Sequence, residues 1–220
     1  MQADQRYWLE LPRFTDDDSS QKAQWQDAVL ERMKIAWQGA MNDQDQAVLR
    51  EAIANGLRRI LPEDVVTVQY WPNASIANAI VHVTAAEFVQ DDDRNVVPLI
   101  DMPYATRPIT EVFEAEHLGA GVEARYLTPV EGEPGLLLGG VNYLFANDFG
   151  YIAVGMEPTL PALLGVAIES LRELVRSIRV IDDPDNAWQR CAADLSGVLS
   201  RGEQWPDTLV QGTTTIEEKM

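Results

Sequence analysis

The sequence predicts an α+β fold: an antiparallel sheet with a meander over 121–156, a long amphipathic helix over 160–179 covering it, and an N-terminal helical pair. Three observations predict it. Val122, Ala124 and Tyr126 alternate with Glu123 and Arg125, the period-two pattern of a half-buried strand. Leu136 to Phe145 is nearly all apolar, as a central strand is, and the turn residues Ala146-Asn147-Asp148-Phe149-Gly150 separate it from a third strand, Tyr151 to Met156. Leu160, Leu163, Leu164, Ala167, Ile168, Leu171, Leu174, Val175 and Ile178 then recur at helical spacing, an apolar stripe broad enough to need a sheet beneath it.

The other elements follow in order. Tyr7 to Pro12 reads as a short strand or extended arm ended by its proline. The polar break Thr15 to Ser20 offers helix N-caps. Trp25, Val29, Met33, Ala36 and Ala40 define a first helix, and Leu49, Ile53, Leu57 and Ile60 a second, closed by Pro62. This pair is expected to pack on the same core or at its edge. Val65 to Trp71 is dense in β-branched and aromatic residues between Pro62 and Pro72, which predicts a strand. In Ile76 to Val83 the alanines favour helix and Ile80-Val81-His82-Val83 favours strand; strand is the reading adopted. Gln90 to Asn95 is a loop, prolines 98, 103 and 108 punctuate the next stretch, and Ile109 to Leu118 fits a strand or a short helix. Thr159 is the expected N-cap of the long helix, with Pro161 in its first turn. A last helix is expected over 186–200. Residues 1–206 are read as one domain and 207–220 as a polar tail.

Composition sets limits on partners. Of 220 residues, 46% are hydrophobic, enough to build a core, and 35 acids against 17 bases leave a net charge of -18. That excess opposes nucleic acid, whose binding depends on cationic side chains neutralising phosphates, and opposes anionic lipid surfaces. The one cysteine, Cys191, excludes an intramolecular disulfide and a cysteine-rich zinc site. No apolar run follows a basic N-terminus, so the chain is read as cytoplasmic.

No segment carries a catalytic, cofactor or metal motif in its required context. Gly119 to Ala124 matches the dinucleotide fingerprint G-x-G-x-x-A, but an alternating strand follows it where a helix should open. Asp91, Asp92 and Asp93 lack the glycine and glutamate that a calcium loop needs at its sixth and twelfth positions, which are Val96 and Met102 here. The two histidines, His82 and His117, sit in no zinc-protease frame, and no G-x-S-x-G presents a nucleophile. His82 lies in an apolar run and reads as a hydrogen-bonded core or edge histidine.

One charge feature remains. Residues 61–118 hold ten acids and two bases, together with Tyr70, Trp71, Phe88, Tyr104 and Phe113. Acidic loops with aromatic anchors suit a basic protein partner; Asp91, Asp92, Asp93, Trp71 and Tyr104 are the candidate binding residues. Solvated loops over a sheet edge are the competing reading.

The order strand, glycine-rich apolar strand, tight turn, strand, and a helix reading Ile168-Glu169-Ser170-Leu171-Arg172 resembles the C-terminal half of small PsbP-like α+β domains over 121–180. That resemblance implies a non-catalytic accessory or binding module and transfers no site residues. The expected function is therefore a non-catalytic cytoplasmic binding or accessory protein meeting a basic partner through an acidic, loop-rich face. The alternative is a small-substrate hydrolase, which predicts a pocket where His82 or His117 meets a carboxylate.

Overall fold

Strand-forming and helix-forming segments segregate as their periodicities require. A computed structural model describes residues 7–15, 18–72, 75–88, 104–106, 108–181, 188 and 195. Its elements run β1 (Trp8–Glu10), α1 (Ser19–Ala36), α2 (Asp43–Arg58), β2 (Asp64–Tyr70), β3 (Ala79–Glu87), β4 (Ile109–Ala115), β5 (Gly119–Pro129), β6 (Leu137–Ala146), β7 (Gly150–Thr159) and α3 (Pro161–Arg176). The fold is α+β, with one open seven-stranded sheet in the order β1-β2-β3-β7-β6-β5-β4. All neighbouring strands are antiparallel. β4 to β7 are sequential neighbours; β3 joins at β7, so the order is mixed rather than a simple meander throughout.

Successive side chains of a strand face opposite sides of the sheet, and this sorts the core into separate clusters. Val81, Val83, Val154, Met156, Val141, Tyr143 and Phe145 share one cluster with Ala167, Leu171, Leu174 and Val175 of α3. Ile80 faces the other way and joins Leu9, Leu11 and Trp71 with Val29 and Leu30 of α1 and Leu49 and Ile53 of α2. The N-terminal helices therefore pack on the sheet face opposite to α3, not on the α3 core. The period of two that puts Val81 on one side necessarily puts Ile80 on the other.

Local chemistry accounts for the boundaries. α2 starts at a capping box: Asn42 Oδ1 accepts from the Asp45 amide at 2.9 Å, and Asp45 Oδ2 accepts from the Asn42 amide at 3.0 Å. α1 stops at Ala36, short of Ala40, because Gln38 and Gly39 take φ of 52° and 80°. Thr159 does not cap α3. It remains in β7, paired with Gly139, and Leu160 is the N-cap without a side-chain bond. In the β6–β7 turn, Asn147 Oδ1 accepts from the amides of Phe149 and Gly150 at 2.8 and 2.9 Å. Gly150 itself has no room for a side chain, since a Cβ there would sit 2.2 Å from the Ala86 carbonyl oxygen. Gly119 opens β5, so the Gly119–Ala124 motif lies in a strand. Among the described residues no helix is long and apolar enough to cross a membrane. The loop 90–95 and the tail 207–220 lie outside the described residues, as does the helix expected over 186–200 apart from Trp188 and Leu195.

Candidate functional site

On the face opposite α3, one row of the sheet runs Asn142, Gly155, His82, Thr67 across β6, β7, β3 and β2. Gly155 contributes no side chain, so the row has a gap at its centre. A groove of about 370 Å³ opens there, lined by Leu61, Glu63, His82, Tyr126, Asn142 and Glu157 among others. Tyr126 walls one side: its ring lies over Gly140, where a Cβ would meet it, and the Tyr104 ring packs against it, tilted by 53° at 5.2 Å between centroids. Burial pushes the Tyr126 hydroxyl up to about 12, the neighbouring Tyr104 adds to the shift, and a hydrogen bond with Asn142 opposes it.

The opposite wall is ionic. His82 Nδ1 lies 2.7 Å from Asp64 Oδ2, and Nε2 lies 3.1 Å from Glu157 Oε1. Arg59, at the C-cap of α2, donates to the same Glu157 oxygen at 2.7 Å. Asp64 Oδ2 also accepts from the Leu61 amide at 3.0 Å and the Thr67 hydroxyl at 2.6 Å. Arg13 donates to the carbonyls of Leu61 and Asp64 and so pins the turn that delivers Asp64. Burial opposes charge on His82, but the hydrogen bonds and negative charges of Glu157 and Asp64 outweigh it and raise its pKa above the ordinary histidine value. Burial acts to raise Glu157 as well; hydrogen bonds from His82 and Arg59 reverse this and hold it below the usual carboxylate range. A ring flanked by two carboxylates is best satisfied as an imidazolium donating from both nitrogens. The carboxylates sit at opposite edges of the ring and diverge; among the described residues there is no group of three or more acidic, histidine or cysteine side chains able to hold a metal ion.

A second ionic cluster sits on the α3 side. Glu123, on β5 and 2% exposed, accepts from Arg172 Nε at 2.8 Å and Nη2 at 2.7 Å. Arg125 Nε stands 3.0 Å from it. Burial would raise the Glu123 carboxyl, but the Arg172 bonds and charge hold it below its ordinary value. This cluster ties α3 to β5.

The sequence candidates fall in different places. Asp91, Asp92 and Asp93 lie outside the described residues, as does Cys191. Trp71 and Tyr104 are 6% and 2% exposed, Trp71 inside the α1–α2 core and Tyr104 against the Tyr126 ring. Of the acidic stretch, Glu63, Glu87, Glu111, Glu114 and Glu116 are exposed, the last three on or beside β4. His117 lies in the β4–β5 turn. Sequence reasoning missed Asp64 and Glu157 as partners of His82. The available signal was His82 itself, a polar residue inside an apolar strand, which demands partners from neighbouring strands. The chain matches no protein-family model, no curated protein sequence and no solved structure.

Proposed function

We propose that the protein is a cytoplasmic, non-catalytic binding or accessory protein that engages a basic protein partner. The observation that carries this reading is the state of His82. Carboxylates hold both its ring nitrogens, so it has no free lone pair with which to take a proton from a nucleophile. What the groove offers instead is a fixed, shaped surface edged by acids. The net charge of -18 and the exposed acids of β4 favour a cationic partner, and the resemblance to PsbP-like domains favours a non-catalytic binding module. The test is a pull-down from native lysate at low and high salt. Recovery of a basic protein at low salt and its loss at high salt supports the reading; recovery of none removes it.

One observation favours hydrolysis as a second reading: His82 and Glu157 open together onto a groove. Turnover of small ester or amide substrates that is abolished in His82→Asn, with the fold intact by circular dichroism, would put that reading first.

A further inference from the structure

The groove wall contains a carboxylate used on one side only. Glu157 Oε1 accepts from both Arg59 and His82, and Glu157 Oε2 accepts from no described residue. The Glu157 side chain is 24% exposed and lines the open groove. The floor between Glu157 and Tyr126 is formed at Gly155. Gly155 lies between His82 and Asn142 in register, and Gly140 lies under the Tyr126 ring. A slot with a glycine floor, an aromatic wall and a charged acceptor opposite suits a flat, cationic, multiply donating group.

We propose that this groove receives the guanidinium of an arginine side chain, its plane against the Tyr126 ring and its N–H groups donating to Glu157 Oε2. The inference rests on the basic-partner reading above, which supplies the source of the arginine. Charge complementarity supports it. Glu63, Asp64 and Glu157 line or back the groove, against His82 and Arg59, leaving one negative charge in excess even with His82 protonated. The whole-chain charge of -18 adds a long-range attraction for the same group. Arginine fits better than lysine because a planar fork stacks on an aromatic face and presents several donors at fixed angles, where an ammonium is a compact point charge. Arg59 donates its Nε to Oε1, the oxygen that it shares with His82.

The test is a titration with the capped tripeptide acetyl-Gly-Arg-Gly-amide, with the citrulline peptide as an uncharged isostere. The readouts are the backbone amide of Gly155 and the side-chain amide of Asn142 in a nitrogen-15 correlation spectrum. Saturable, one-site shifts at both groups are expected, weakened about tenfold or more with citrulline, as loss of a charge-assisted hydrogen bond requires. Glu157→Gln keeps the shape of the wall and should weaken the arginine peptide by a similar factor. Gly155→Leu should abolish the shifts at Asn142 by filling the floor, where even a Cβ would meet Asn142 Oδ1 at 2.9 Å. Equal response to arginine and citrulline, or shifts that bypass Gly155 and Asn142, overturns the proposal. The two readings fail separately. If Gly155→Leu and Glu157→Gln still recover the basic protein from lysate, the groove assignment falls and the partner stands. If the peptide fills the groove but no basic protein is recovered, the cation site stands and the protein partner falls.

Discussion

Removing Arg172 leaves a buried carboxylate, Glu123, short of its main partner. Glu123 is 2% exposed and receives two hydrogen bonds from Arg172, at 2.8 and 2.7 Å. Hydrogen bonds to charged groups contribute roughly 1.5–3 kcal/mol each, and breaking a buried pair from one side costs about 3–5 kcal/mol. Arg125 Nε, 3.0 Å away, stays behind after Arg172→Met and compensates part of the loss, which puts the expected cost near the lower bound, about 3 kcal/mol. For a chain of this size that corresponds to a fall in Tm of about 6–12 °C. Glu123→Gln combined with Arg172→Met should recover part of the loss, because no uncompensated charge then remains buried. The sign with pH is fixed by the lowered Glu123 pKa. Its contribution is full above the ordinary value of 4.5 and disappears as pH falls through the folded-state pKa. The gap between wild type and Arg172→Met, measured by urea denaturation, should therefore be wide at pH 7 and close in the acid range. A gap under about 1 kcal/mol at pH 7, or one that persists unchanged into acid, refutes the reasoning.

Leu171, fully buried against the sheet, should cost about 2–5 kcal/mol as Leu171→Ala in chemical denaturation. Gly150→Ala places a methyl 2.2 Å from the Ala86 carbonyl oxygen and should destabilise by roughly 1–3 kcal/mol, with altered amide shifts at the β3–β7 ladder. His82 has its pKa raised above 6.5 by folding, so its stabilisation is complete below that pH and is lost as pH rises through the folded-state value. Wild-type stability should accordingly decline as pH rises above 6.5, and His82→Gln should lack that slope.

The elements that were legible in the sequence are those whose periodicity and punctuation agree. The strand alternation at Val122 to Tyr126, the turn at Ala146 to Gly150 and the stripe of α3 each carry two local signals, and each lies in a matching element. Boundaries set by a tertiary partner were not legible. Thr159 has N-cap chemistry, but pairing with Gly139 keeps it in β7. Glu123 alternates like a solvent-facing residue, yet Arg172, 49 positions away, draws it inside. The site was least legible for the same reason. Asp64 precedes His82 by 18 positions and Glu157 follows it by 75, and only the sheet order β2-β3-β7 makes them neighbours. The gap at Gly155 has meaning only once Asn142 and His82 are known to flank it.

The most direct test of the basic-partner account is the ionic-strength dependence of association with whatever basic protein a native lysate yields. Exposed charges are screened over about 8–10 Å near physiological salt, so the on-rate should fall steeply as salt rises while the off-rate changes little. Replacing Asp91, Asp92 and Asp93 by lysine should lower the on-rate further. A partner whose on-rate is flat with salt and unchanged by the triple replacement would contradict the account, as would the absence of any basic protein in the low-salt eluate.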